Sequence, residues 1–380
     1  MHNCKKHSFL LGRIINIKEF SGSSPPEIFV GRYGYPDVNI GILSPIEHGD
    51  TSLLSSAEEW HKANLSINQI VNLRNQLIYG RTKANIKRAF SKQFTTTMQE
   101  VAMTHKSISA EFRLKKSLAP FKEKDNKALL ITNSAQIETV SLEENPKIIP
   151  KIEYLTSDTD LKSRAAILEL DKARISSQHI MKILSAGLLG LGNRRKLVPT
   201  RWSITAVDST LSEEKLKAIR YFPEIQNFLV FTSEYLGNHY EFLLIPSTWE
   251  FEVIEISLAN QGIWQDYEGF FKRKNYADSV TGAYYANRLA LTEYLSKIRR
   301  QCACIVFREV RPEYNTPLGV GILREASRAA FQAKPKTLNT LQEALADIQE
   351  RLKQPITNYT IKSNIIKNYG KQTRLNNWFN

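Results

Sequence analysis

The sequence predicts a mixed α+β globule, on three observations. Stretches at helical spacing and runs of strand-like alternation follow one another irregularly, with no βαβ regularity and no internal repeat. Two apolar-rich runs flank Leu236-Gly-Asn238, a pattern that reads as a β-hairpin. The hydrophobic share is 42% over 380 residues, ordinary for a globular chain and enough for a sizeable core in two to three domains. The full expectation is a mixed α+β body of antiparallel strands and packed helices, followed by a flexible basic C-terminal tail.

The elements follow in order. Residues 20–50 are rich in Gly, Pro and aromatics, which predicts an ordered, non-helical segment. Ser66 is placed to cap a helix whose apolar face is Ile67, Ile70, Val71 and Leu77, ending near Gly80. A second helix is expected over about 83–103. Residues 107–160 are polar with short apolar runs such as Ala128-Leu-Leu-Ile131, so edge strands and long loops are expected there. Helical spacing returns over 160–184. Residues 226–231 and 239–245 form the hairpin, and 249–256 alternates as the next strand. A helix over 280–300 leads into a strand at 302–310, and a last amphipathic helix covers 338–352.

Composition points toward a polyanionic partner. Lys and Arg outnumber Asp and Glu by 52 to 38, a net charge of +14. From Arg351 onward the chain carries Lys353, Lys362, Lys367, Lys371 and Arg374 and no acid. Such a tether suits a phosphate backbone. No run of about twenty apolar residues exists, so no membrane span is expected. The N-terminus lacks a small-residue cleavage site and does not read as a signal peptide. Three cysteines, Cys4, Cys302 and Cys304, cannot build a disulfide framework, which fits a reducing cytoplasm. Cys302 and Cys304, at strand spacing, read as buried structural thiols.

The C-terminus carries the most specific pattern: Gln372-Thr-Arg-Leu375-Asn-Asn-Trp378-Phe379. In one tight helical turn Leu375, Trp378 and Phe379 fall on one side as an apolar plug, with Gln372 reaching a separate polar pocket. This resembles the PIP box, the peptide that docks on the DNA sliding clamp PCNA. Residues 354–370 show no sustained helical period and contain Pro355 and Gly370, which argues against a terminal helix packing back on the body.

Longer stretches carry a second resemblance. Ser24-Pro-Pro-Glu-Ile-Phe-Val-Gly-Arg-Tyr-Gly-Tyr-Pro-Asp-Val-Asn-Ile-Gly41 and Asn193-Arg-Arg-Lys-Leu-Val-Pro-Thr-Arg-Trp-Ser-Ile-Thr-Ala-Val-Asp208 resemble signatures of the archaeal Nre family. So do Tyr235-Leu-Gly-Asn238, Pro246-Ser-Thr-Trp-Glu-Phe251, Gly282-Ala-Tyr-Tyr-Ala286, Phe307-Arg-Glu309, Pro312-Glu-Tyr314 and Pro317-Leu-Gly-Val320. The resemblance spans about residues 22–330 plus the terminal peptide. It implies a DNA-repair protein whose partners are PCNA and DNA. It also implies a division into an N-terminal zinc-finger-like segment (1–20), an N-terminal domain (21–264), a C-terminal domain (265–353) and the basic tail (354–380). The family commonly opens with a four-cysteine element. Here Cys4 is followed by His7, and Leu10-Leu-Gly12 stands where a Leu-Cys-Gly is expected. Even with His2 the segment is one ligand short of tetrahedral zinc, so the element reads as degenerate and no zinc or other cofactor is expected.

Two candidate surfaces remain. Arg194, Arg195 and Lys196, with Arg201 and Trp202, could hold phosphate and stack a base. The alternative is that these arginines pair with core carboxylates and Trp202 packs. Arg32 within Gly31-Arg-Tyr-Gly-Tyr35 marks the second surface, where glycines let a ligand approach the backbone. The stretch Gly187-Leu-Leu-Gly190-Leu-Gly192 lacks the Gly-Lys-Ser/Thr of a phosphate-binding loop. Glu250, Glu252, Glu255 and Asp208 are the best carboxylates for a metal-dependent nuclease, but Glu250 and Glu252 are expected to face solvent and Glu255 the opposite side. Such chemistry needs convergence, so no catalytic residue is assigned. The reading is a cytoplasmic, nucleoid-associated DNA-repair protein recruited through PCNA. Its rivals are a nuclease or nucleotide-processing enzyme with its site near Arg194 to Asp208, and an RNA-binding protein.

Overall fold

The computed structural model describes residues 17–87, 92–118 and 133–371. These residues form two compact units: those up to Thr210 with Thr316–Leu318, and Leu211–Asn315 with Gly319 onward. Both units mix helices with a six-stranded sheet, the α+β class expected. The division expected at 264/265 falls inside a strand, Ile263–Glu268. Among the described residues no helix is long and apolar enough to cross a membrane.

The first unit runs β1 (Glu19–Ser24), β2 (Glu27–Val30), β3 (Asp37–Ser44), α1 (Ala57–Lys62), α2 (Ile67–Arg74), β4 (Ile78–Asn85) and α3 (Gln93–Met103). Then come β5 (Ile108–Leu114), β6 (Asn133–Leu142), α4 (Pro150–Ser157), α5 (Ser163–Lys172), α6 (Ser177–Ser185) and the first half of α7 (Thr200–Ile219). Its strand order is β1-β5-β6-β4-β3-β2, antiparallel except at β4–β6. Helix α3 packs on α6 and on the sheet, burying Met98, Val101, Ile180 and Ile183.

Ser66 caps α2 as expected. Its hydroxyl accepts from the Gln69 amide, and the Gln69 side chain returns a bond to the Ser66 amide. The helix stops at Arg74, however, and Leu77 and Gly80 lie beyond it. Ile78-Tyr79-Gly80 enters the middle of the sheet, where a Cβ on Gly80 would sit 2.3 Å from the Ile137 side chain. The helix expected over 83–103 is likewise divided: β4 continues through Asn85, and α3 begins at Gln93. Helical spacing over 160–184 resolves into α5 and α6, broken where Arg174 takes a left-handed φ of 61°. Residues 128–131 lie outside the described residues.

The second unit continues α7 through β7 (Phe228–Tyr235), β8 (Asn238–Ile245), β9 (Glu250–Ser257), β10 (Ile263–Glu268), α8 (Gly282–Ile298) and β11 (Ala303–Val310). It ends with α9 (Val320–Gln332), β12 (Lys336–Leu338), α10 (Leu341–Gln349), α11 (Thr357–Thr360) and α12 (Asn364–Asn368). Strand order is β10-β9-β11-β8-β7-β12, with β9–β11 the parallel pair. The β7–β8 hairpin turns on Leu236 and Gly237, both at positive φ, the geometry a tight two-residue turn requires. Cys302 and Cys304 are both fully buried.

Every residue of β8 is buried, so this sheet is covered on both faces. On one face Phe231 and Phe242 meet Phe331 of α9, and Phe251 meets Tyr284 of α8. On the other, Leu243, Ile254, Ile305 and Phe307 pack with Ile348, Leu352, Tyr359 and Ile365. Residues 354–371, expected as a flexible tail, are therefore part of the body. Helices α11 and α12 are four and five residues long, too short to show a helical period or to stand alone; the sheet holds them.

Three fully buried carboxylates on that second face complete the attachment. Glu241 accepts from Arg351 through Nε and Nη2 at 2.8 and 3.0 Å, and from Thr232 and His239. Glu309 accepts from the Gln354 amide at 2.7 Å. Glu252 accepts from the Ser363 hydroxyl at 2.6 Å and from the amides of Asn364 and Ile365 at 2.8 and 3.3 Å. Glu252, expected in solvent, is instead where α12 begins.

A buried imidazole in the first unit makes stability depend on pH. Burial, aided by Lys182, pushes His179 down to about 4 from its ordinary 6.5, while its Nε2 lies 3.0 Å from the Ala102 carbonyl. The folded chain thus takes up a proton later than the unfolded one as pH falls. The contribution is complete above pH 6.5 and is lost on descent toward pH 4, by up to about 1.4 kcal/mol per pH unit. Urea unfolding between pH 4 and 7 should show this slope, and His179→Gln should flatten it.

Candidate nucleic-acid interface

The site is built by a hairpin and a helix start, both in the first unit. Strands β2 and β3 pair in register, Val30 opposite Ile40, and leave residues 31–36 as a projecting loop. The Gly31 amide donates to the Asn39 carbonyl at 2.8 Å and closes its base. The Asp37 amide donates to Gly34 at 2.9 Å, with Gly34 at φ 80°, a conformation that glycine adopts without strain. Arg32, Tyr33 and Tyr35 stand exposed on this loop, Tyr33 at 76%. The Arg32 guanidinium lies 5.1 Å from the centre of the Tyr33 ring.

Small polar side chains tie α7 to that hairpin. Thr200 Oγ1 accepts from the Val30 amide at 2.9 Å and lies 3.2 Å from Ser185 Oγ. Ser185 Oγ donates in turn to the Val198 carbonyl at 2.8 Å. A backbone ladder adds to this: the Ile86 amide donates to Pro36, and the Leu197 amide to Ile86. Trp202, in the first turn of α7 and 44% exposed, therefore meets Tyr35, ring centroids 5.2 Å apart at 52°.

Exposed cations adjoin the segments that carry this aromatic pair. Lys87 and Lys196 adjoin the residues of the ladder, Arg201 precedes Trp202, and Arg32 is on the loop. All four are exposed, and none carries an ion pair among the described residues. Across 30–39, 85–87 and 194–202 the single acid is Asp37, which accepts from the Asn85 amide group at 3.0 Å. The arrangement offers two ring faces for a base and positive charge for phosphate.

The two sequence candidates thus meet at one surface, with Arg194 and Arg195 as exceptions. Arg195 turns inward and donates to the carbonyls of Gly190, Thr156 and Asp158 at 2.9, 2.7 and 2.5 Å. Its partners are neither core carboxylates nor solvent, and burial lowers its pKa, opposed by Asp158. Arg194 ends a 3-10 turn, exposed, with no contact to the aromatic pair among the described residues. Tyr35 lies within the segment singled out around Arg32, but Lys87 carries no local signal of its role and lies in a stretch whose spacing reads as helix. The glycine-rich stretch before Arg195 is a packing device: a Cβ on Gly190 would sit 2.5 Å from Ser163 Oγ.

The carboxylates considered for a nuclease are engaged one by one. Glu250 accepts from the Tyr267 hydroxyl at 2.6 Å, Glu252 holds α12, Glu255 pairs with Arg308 on the other face, and Asp208 is buried in α7. Among the described residues no group of three or more His, Cys, Asp or Glu is placed to hold a metal ion. Cys4 and His7, and the terminal Gln372, Leu375, Trp378 and Phe379, lie outside the described residues.

Comparison with known proteins agrees with the sequence resemblance. The archaeal Nre N-terminal family pattern matches residues 2–265 and the archaeal Nre C-terminal pattern residues 268–378. A protein of Archaeoglobus fulgidus named DNA repair protein NreB is 35% identical over 366 residues, 94% of this chain and 91% of its own. The DNA repair protein NreA of Haloferax volcanii is 32% identical over 348 residues, 87% of this chain and 82% of its own. The NreA of A. fulgidus is 35% identical over 337 residues, 87% and 84% respectively. No solved structure matches the chain. With family patterns matched along nearly its whole length and such relatives, the chain belongs to the archaeal Nre family.

Proposed function

We propose that this chain is a DNA-repair protein that holds DNA at the Tyr35–Trp202 surface and is brought to it by PCNA through its terminal peptide. The names of its relatives support the repair role. The observation that carries the DNA half is the exposed Tyr35–Trp202 pair with Arg32, Lys87, Lys196 and Arg201 around it. Exposed rings amid unpaired cations suit a stacked base beside its phosphates. The clamp half rests on the spacing Gln372, Leu375, Trp378 and Phe379. The docked α12 supports it: the peptide follows directly on an anchored segment, and Lys362, Lys367 and Lys371 are exposed beside it.

Binding at the surface should be weakly sequence-selective and fall steeply with salt. Replacing Lys196 and Arg201 with Ala should lower affinity for duplex DNA and reduce the log–log salt slope by about 2, since each lost phosphate contact removes about 0.9. Fluorescence anisotropy between about 50 and 200 mM salt measures both. An unchanged slope would rule out this surface. Tighter binding of an equivalent RNA would move the reading to RNA.

A peptide of residues 366–380 should bind PCNA alone in the micromolar range. Trp378→Ala and Phe379→Ala should each cost at least about 2 kcal/mol, as aromatic anchors usually do. The chain lacking residues 372–380 should keep its thermal midpoint and lose clamp binding. Calorimetry showing the shortened chain binding as tightly as the intact one would refute the docking role.

A further inference from the structure

The second unit carries another exposed aromatic-basic element, the loop between β10 and α8: Gly269-Phe-Phe-Lys-Arg-Lys-Asn-Tyr276. Arg273 points inward and fixes it, donating to the Tyr267 carbonyl at 2.6 Å, to Asp266 Oδ1 at 3.0 Å and to the Tyr276 carbonyl at 3.3 Å. Asp266 Oδ2 also accepts from the Val280 amide at 2.6 Å, so one carboxylate holds both ends of the loop. Tyr276 stacks on Tyr285 of α8, centroids 5.2 Å apart at 27°. This is an ordered loop, and its outward residues are set by that staple.

What it displays is unusual in combination. Phe271 is 83% exposed, Lys272 and Lys274 after it are exposed, and Tyr276 is 49% exposed. The neighbouring Phe270 lies under Arg220, 5.8 Å from ring centre to guanidinium, and Tyr221 beside it is also exposed. The acids nearby are the buried Asp266 of the staple and Glu268, which pairs with Arg288 at 2.7 Å, together with Glu213, which pairs with Lys272 at 2.8 Å, and the exposed Asp278. A lone exposed ring is ordinary. A ring held out by a stapled loop and followed by two exposed lysines fits a base stacked over backbone phosphates.

We propose that this loop is a platform for single-stranded DNA, separate from the Tyr35–Trp202 surface, with Phe271 as its stacking ring and Lys272 and Lys274 on the adjoining phosphates. The inference rests on DNA being the partner but not on the first surface or on the clamp. An unpaired strand is the form that fits best, because its bases leave their own stack at little cost and can lie on a projecting ring.

The test is the affinity of the full chain for a labelled oligothymidylate and for a duplex of equal length. Phe271→Ala should weaken oligothymidylate binding about tenfold and duplex binding less than twofold, while Phe271→Trp restores it. Lys272→Ala with Lys274→Ala should weaken it further and reduce its salt dependence. Phe271 is largely in water, so these variants should unfold as the parent does. Equal binding by parent and Phe271→Ala, or no oligothymidylate binding by the parent, would overturn the platform. Loss of duplex binding in Trp202→Ala with oligothymidylate binding intact would support two surfaces. A parent that binds oligothymidylate through Phe271 but ignores duplex would remove the first surface and leave this one standing.

Discussion

Glu241, Glu252 and Glu309 lie fully buried on the same sheet face as an apolar cluster, and the rest of the second unit depends on how that charge is answered. A carboxylate taken out of water costs several kcal/mol unless cations or amide donors replace its hydration. Here the replacement comes largely from the C-terminal segment: Arg351 for Glu241, the Gln354 amide for Glu309, and Ser363, Asn364 and Ile365 for Glu252. Arg311, just past β11, assists at Glu309, and His239 of β8 at Glu241. The apolar contacts of Tyr359 and Ile365 supply area, and the carboxylates supply register. A helix shifted by one residue would still cover hydrophobic surface but would leave a charge unanswered. The segment up to residue 371 is thereby a structural element of the body.

The first unit solves a similar problem with small hydroxyls. Thr200, Ser185 and the backbone of Val30 and Val198 form a short polar chain that fixes where α7 begins relative to the β2–β3 hairpin. The Pro36–Ile86–Leu197 ladder repeats the constraint through the main chain. Once both are in place, Tyr35 and Trp202 have to meet. The aromatic pair is thus a consequence of buried hydrogen bonding, while its faces and its cations stay in water. That division suits a binding surface: rigid support below, uncommitted groups above.

Features whose physics is local are legible in the sequence. The β7–β8 hairpin follows from alternation plus a turn that accepts positive φ, and the Ser66 cap from a hydroxyl three residues before Gln69. Features set by distant partners are not. Helix α7 buries Ser203, Thr205, Asp208 and Ser212 among its apolar residues, so it shows no apolar stripe and gives no helical signal. Helix α9 is likewise absent from the sequence reading. The strand around Gly80 reads as a helix end because the room it lacks is set by Ile137, far along the chain. Arg194 and Arg195 are the sharpest case. Adjacent and chemically identical, one is exposed at the end of a 3-10 turn and the other is spent on three carbonyls. Arg32 and Trp202 stand out separately, but nothing local says that the loop of one touches the other.

The attachment of the C-terminal segment is tested most directly by amide hydrogen exchange on the intact chain. If the buried glutamates hold it, the amides of Gln354, Asn364 and Ile365, which donate to Glu309 and Glu252, open only with the sheet. Their protection should then match that of the β8 amides, and Glu252→Gln should weaken it at Asn364 and Ile365 before it does so at Gln354. Exchange at all three at the rate of an unstructured chain, with β8 still protected, would show residues 354–371 to be a tether after all.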